Sequence, residues 1–275
     1  MSIFSPVSKA RALSPVLIIG VVVLGFWIVC AFFGDRVISF DPYADDILNS
    51  MLPPDAVHWF GTDSLGRDVF SRVIVGARAI LIIAPAATLL GITLGTAIGL
   101  ILGYFGGIVD VLVSRLLEAF MALPIVVLAL LALVAIGSSD LTVIVMIGVV
   151  YAPLVARTIR AAVRSQKNLD YVNAARLSGD SSLSIMLFEI LPNIREVILI
   201  EAVVRLGYAF FTVATLSFLG LGIQPPSTDW GLAIAENYGF LSAGAWWIVV
   251  FNAGAIISLV IATNLVAEGL GAFDS

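Results

Sequence analysis

The stretch Ile80–Gly103 reads ILIIAPAATLLGITLGTAIGLILG and carries no charged side chain. At about 1.5 Å of rise per residue, a helix of this length crosses the roughly 30 Å hydrocarbon core of a bilayer. Lipid offers a bare backbone no hydrogen-bond partner, and a helix satisfies its own. The run is therefore a transmembrane helix. Gly91, Gly95, Gly99 and Gly103 recur along it at every fourth residue. Such spacing makes a flat ridge where another helix backbone can approach closely, and helix packing is preferred here over lining a pathway.

Working outward, comparable runs occupy Leu13–Phe33, Leu112–Ile136, Leu141–Ala156, Val197–Leu221 and Trp246–Ala267. Hydrophobic residues make up 60% of the 275 and charged residues only 12%, about half the share usual in soluble domains. No hydrophilic stretch is long enough for a separate domain. The expectation is an all-α integral membrane protein of about six transmembrane helices, with residues 1–275 forming one domain. The run Leu13–Phe33 is longer than a cleavable signal core, so it reads as an uncleaved first span. Gly137–Asp140 is a tight polar turn between the third and fourth spans, and Pro153 is placed to kink or end the fourth.

Lys and Arg set the orientation. With the N-terminus inside, the inner segments hold Lys9, Arg11, Arg157, Arg160, Arg164, Lys167, Arg176 and Arg195, against Arg36, Arg67, Arg72 and Arg78 outside. That bias predicts N-in, C-in topology. Trp230, Tyr238, Trp246 and Trp247 fit an aromatic belt at the outer interface.

Several classes of function fall away. There is no basic face for nucleic acid. Cys30 and His58 are the only residues of their kinds, so the chain cannot build a metal site of the usual Cys/His type. Lys9 and Lys167 lie in no phosphate-binding loop, so the chain is no ATPase, and no catalytic constellation is visible.

Two polar segments remain. In residues 34–79, Asp63 is placed to cap a surface helix with an apolar stripe of Val69, Phe70, Val73, Ile74 and Ala77, while Arg67, Asp68 and Arg72 face polar surroundings. In residues 157–196, Asp170 is placed to cap one short helix and Gly179 to end it. Asp180, Ser181 or Ser182 then caps a second helix, which Pro192 stops. By physics alone this hairpin could be an ordinary amphipathic connector. Arg115 with Glu118, and Glu201 with Arg205, can pair on single helix faces near the inner boundary, in a structural or a gating role.

Asn173-Ala174-Ala175, then Gly179, then Ile190-Leu191-Pro192 resembles the EAA motif of permeases in the ATP-binding-cassette importer family, with Asn173 where the consensus has Glu. Gly61-Thr62-Asp63, Gly66-Arg67-Asp68, Ser71-Arg72 and Gly76-Ala77-Arg78 resemble the dipeptide, oligopeptide and nickel group of that family. So do Leu216–Gly222, Gln224-Pro225-Pro226 and Trp230-Gly231. The likeness is nearest to the second (C-type) permease and covers almost the whole chain.

This resemblance implies a type I importer permease in a bacterial or archaeal cytoplasmic membrane. Its partners would be a second homologous permease, two ATPase subunits or domains and an extracytoplasmic substrate-binding protein. ATP and Mg would bind the ATPases, with no cofactor in this chain. The coupling contact would fall on Asn173, Ala174, Ala175, Arg176, Gly179, Asp180, Ser181, Leu191 and Pro192. Cargo would be di- or oligopeptides, with nickel complexes as the alternative. An ion-coupled secondary transporter ranks below, because no span carries an acidic residue near its middle.

Overall fold

The computed structural model describes residues 15–271; Lys9 and Arg11 of the inner charge count, and the start of the first predicted span, lie outside them. Every regular element among the described residues is helical. Apart from two short 3-10 turns, Ile47–Asn49 and Tyr238–Ala243, they are in chain order α1 (Pro15–Val37), α2 (Val69–Phe105), α3 (Gly107–Met121), α4 (Ile125–Ile136) and α5 (Asp140–Gln166). There follow α6 (Asp170–Leu177), α7 (Ser182–Asn193), α8 (Arg195–Phe218), α9 (Trp230–Asn237) and α10 (Trp246–Gly271). Five of these, α1, α2, α5, α8 and α10, are long and apolar enough to span a membrane, and α3 with α4 can form a sixth, broken span.

Several predicted boundaries are corrected. No separate surface helix precedes the second span. Asp68, not Asp63, caps α2, accepting from the Ser71 amide at 2.8 Å, and the helix then runs unbroken through Pro85 to Phe105. Its 37 residues span about 55 Å, well beyond the hydrocarbon core. The third span is not one rod, since α3 and α4 meet at 87° around Ala122–Pro124. Pro124 explains the break, because it disfavours helical geometry in the residue before it. The fourth span neither ends nor breaks at Pro153; α5 continues to Gln166, so Arg157, Arg160 and Arg164 ride on it.

α2 and α5 are the central pair and pack along most of their length. The glycine ridge is the reason they can. A Cβ at Gly95 would lie 2.5 Å from Val155 Cβ, and one at Gly99 or Gly103 would lie 2.7 Å from the Cβ of Ile159 or Val163. Around this pair sit two apolar cores. The outer one joins α1, α2, α5, α8, α9 and α10 through Trp27, Ile83, Tyr151, Phe210, Trp230 and Leu259. The inner one joins α2 and α5 to α6 and α7 through Ile92, Val155, Ile159, Val172, Ile185 and Ile190.

The outer layer is tied by buried polar groups. Trp230 and Trp247 are not belt residues. Both are buried, and their indole N–H groups donate to the carbonyls of Val73 (2.9 Å) and Thr62 (3.0 Å). Tyr238 and Trp246 are exposed. Ser138, in the turn before α5, places its Oγ 2.7 Å from the Leu221 carbonyl and 2.8 Å from that of Gly222, clasping that turn to the loop after α8.

Candidate functional site

The hairpin between α5 and α8 concentrates the features expected of a coupling site. Asp170 does not cap α6. It is the first residue of the helix, Leu169 precedes it without a side-chain bond, and an acid in this first turn lies near the positive end of the helix dipole. At the other end, Gly179 adopts φ +87°, its N–H donates to the Arg176 carbonyl, and the Asp180 N–H donates to Ala175, both at 3.1 Å. That is a complete Schellman closure. Ser181 then caps α7 by accepting from the Ser184 amide at 3.2 Å.

α7 is not stopped by Pro192. Residues Ile185–Ile190 form a wider π turn, with the Leu191 amide bonded to the Met186 carbonyl, and a short α segment carries Pro192 onward. Proline has no N–H and crowds the carbonyl four residues back, and the widened turn ahead of it leaves room for that ring. The actual break is the single residue Ile194, after which α8 begins.

The hairpin has two faces. Val172, Ala175, Ile185, Met186 and Ile190 are buried in the inner core against α2 and α5. Asn173, Ala174, Arg176, Gly179, Asp180 and Ser181 are exposed, with Leu177 91% and Phe188 73% exposed. Ala175 is therefore packing, while its neighbours form the outward surface; Leu191 is half-buried and Pro192 exposed. Asn173 carries no charge; its amide donates to the Asn168 carbonyl at 3.2 Å and accepts from Arg176 at 3.3 Å. Arg176 also sits over the Tyr104 ring, 5.3 Å from its centre, linking the hairpin to the end of α2.

An ion cluster missed by the sequence reading completes this inner face. Asp110 at the start of α3 is 1% exposed and pairs with Arg160 and Arg164 of α5. Asp110 is the only buried residue of α3. The legible signal was an acid in an apolar run facing arginines spaced four apart on another helix. Arg115 and Glu118 do pair, at 3.3 Å, but both are largely exposed. Glu201 and Arg205 pair at 2.6 Å and are mostly buried.

The outer motif gathers into a knot rather than a surface helix. Asp63, 2% exposed, accepts from the Leu65 and Arg67 amides and from Arg67 Nε at 2.7 Å, with Arg72 Nε at 3.6 Å. Arg72, equally buried, donates to the carbonyls of Pro42 and Ser227 at 2.9 Å, so the outer loop and the loop before α9 meet on one guanidinium. Arg67 reaches Glu236 of α9 at 3.2 Å. Thr62 takes the Leu52 amide, and Asp68 pairs with His58 Nδ1 at 2.9 Å. Gly61 lies in the same loop, and the Asp46 carbonyl leaves no room for a Cβ at Gly66. Among the described residues, no group of three or more His, Cys, Asp and Glu side chains could hold a metal ion.

Comparison with known proteins places this architecture. Residues 95–271 match the family described as binding-protein-dependent transport system inner membrane component. Over 253 residues, the chain is 33% identical to a dipeptide transport system permease protein of Alkalihalophilus pseudofirmus, covering 92% of this chain and 83% of that protein. A putative peptide transport system permease protein of Brucella suis is 36% identical over 252 residues, with 92% and 84% covered. A probable D,D-dipeptide transport system permease protein of Escherichia coli is 30% identical over 257 residues, with 94% and 86% covered. With its five long apolar helices and one broken span, the chain belongs to the family of binding-protein-dependent transport system inner membrane components, permeases of the type I ABC fold.

Proposed function

We propose that this multi-pass membrane protein is one of two permease subunits of an ATP-driven importer of di- and oligopeptides in a bacterial or archaeal cytoplasmic membrane. Partner ATPases grip the outward face of the α6–α7 hairpin, and a substrate-binding protein delivers cargo to the outer layer. The observation that carries this reading is the hairpin's two-sidedness. One face is locked into the α2–α5 core, and the other is exposed with apolar Leu177 and Phe188 on display. A displacement applied to the exposed face is therefore delivered to the two central helices, as alternating access requires. Peptide cargo is supported by the printed names of the relatives. ATP and Mg act in the partner chains.

Gly179 supplies the test. Nothing in this chain lies within 4 Å of a Cβ placed there, so a substitution meets only the φ penalty and whatever docks from outside. Gly179→Arg is expected to abolish ATP-dependent peptide uptake in vesicles while the protein still inserts, and Gly179→Ala to retain most of it. Wild-type uptake and wild-type stimulated ATPase in the arginine variant would overturn the proposal.

A further inference from the structure

Two adjoining cavities on the α1 side remain outside the coupling machinery. The first has a volume of about 700 Å3 and an almost wholly apolar lining that includes Val22 and Trp27 of α1, Phe70 and Ile74 of α2, and Gly254 and Ser258 of α10. The second, about 290 Å3, lies at the outer ends of α1 and α2, where Phe40, Trp59, Phe70, Asp68 and Ser71 line it. Phe70 is a wall of both. Both volumes suit a bound molecule rather than a packing defect. Val37 borders the outer cavity and Val22 the inner one, fifteen residues apart on α1 and therefore about 22 Å along the helix axis. That is the depth of one leaflet with its headgroup, half of roughly 40–45 Å.

The geometry points to a structural site for one outer-leaflet phospholipid with an ammonium headgroup, its acyl chain along α1, α2 and α10 and its headgroup in the aromatic cavity. The ends differ in chemistry as the ends of a lipid do. Below, the surroundings are aliphatic and aromatic. Above, three aromatic residues (Phe40, Trp59 and Phe70) line the mouth, the kind of lining that suits a cation. Asp68 is the only ionisable side chain in that lining, and no basic residue lines it to hold a purely anionic headgroup. Asp68 Oδ2 is taken by the Ser71 amide and hydroxyl, whereas Oδ1 meets only His58 and keeps a lone pair for an ammonium. Trp59 is 63% exposed at the rim, as interfacial tryptophans are.

Filling the groove without disturbing the fold tests this. A Cβ at Gly254 meets nothing within 4 Å, so Gly254→Leu adds a side chain to open space, and Val22→Trp does so from an exposed position on α1. Gly25 is equally unobstructed but lines neither cavity, so Gly25→Leu is the control. The full-length proteins would be purified from membranes containing phosphatidylethanolamine and phosphatidylglycerol, stripped of bulk lipid with detergent and analysed by native mass spectrometry. A retained phosphatidylethanolamine is expected on the wild type and on Gly25→Leu, falling about fivefold or more in both groove variants. Three results would each overturn the site: no retained lipid on the wild type, equal retention of phosphatidylglycerol, or retention in the groove variants matching the control.

Discussion

Asp229 caps α9 with one carboxylate oxygen, accepting from the Leu232 amide at 2.8 Å, while the other, Oδ2, is buried without a partner. Burial pushes its carboxyl up to about 6, against which the Leu232 bond pulls down. An unfolded aspartate titrates near about 3.9. Between those values the native chain holds a proton that the unfolded chain has released. The stabilisation is therefore complete below about pH 4 and is lost as pH rises through about 6, a loss on the order of 3 kcal/mol by pH 7. Asp229→Asn keeps a capping oxygen and removes the titration. Thermal melts of the detergent-solubilised protein from pH 4 to 7 are expected to show the variant gaining on the wild type as pH rises; parallel profiles would refute the assignment. The motif around Gly61–Arg72 was legible in outline at this scale, but its roles were not. Asp63 and Asp68 are both plausible caps by residue type, and the choice between them rests on the Arg67 and Arg72 partners that occupy Asp63.

At the scale of the element, the α2–α5 pairing depends on four positions that lack a side chain. A valine at Gly95 would push its Cβ to 2.5 Å from Val155 Cβ and 2.7 Å from the Ala152 carbonyl, and neither a backbone carbonyl nor a β-branched side chain can give way. Gly95→Val should cost about 3 kcal/mol or more, as overpacking at a helix crossing does. A lowered melting temperature, with Gly25→Ala unchanged, is the check. The ridge could be seen in the sequence because its spacing is periodic. Its partner could not, since nothing local says that Gly148, Ala152 and Ala156 of α5 lie opposite. Proline misled in both directions. Pro153 reads as a breaker but sits inside α5, where packing against α2 sustains the helix, whereas Pro124 turns the chain by 87°.

At the scale of the whole molecule, the inner and outer cores are joined by α2 and α5, which run through both. Ile190 of the hairpin is fully buried in the inner core, and its removal should loosen the grip of the hairpin on those helices. Ile190→Ala is expected to cost about 2–5 kcal/mol. It should also lower peptide uptake more than the stimulated ATPase activity of the assembled importer, because the engine still turns while its load slips. Equal loss of both activities would argue that the residue serves folding alone.

Composition and run length were enough to establish a membrane protein with about six apolar segments, because lipid imposes one backbone solution on any long apolar run. Gly179 and Ser181 of the hairpin were equally readable, since a left-handed turn and an orphaned helix end are local demands, whereas the cap expected of Asp170 was not formed. Only the tertiary structure decided which carboxylate meets which guanidinium: Asp110 with Arg160 and Arg164, and Asp63 with Arg67 and Arg72. Asp110 lies far from both of its arginines in sequence, and Asp63, though close to its own, meets Arg67 in a loop rather than on a helix face. Their pairing is set by the cost of burying them unpaired, a cost that exists only once the helices have packed.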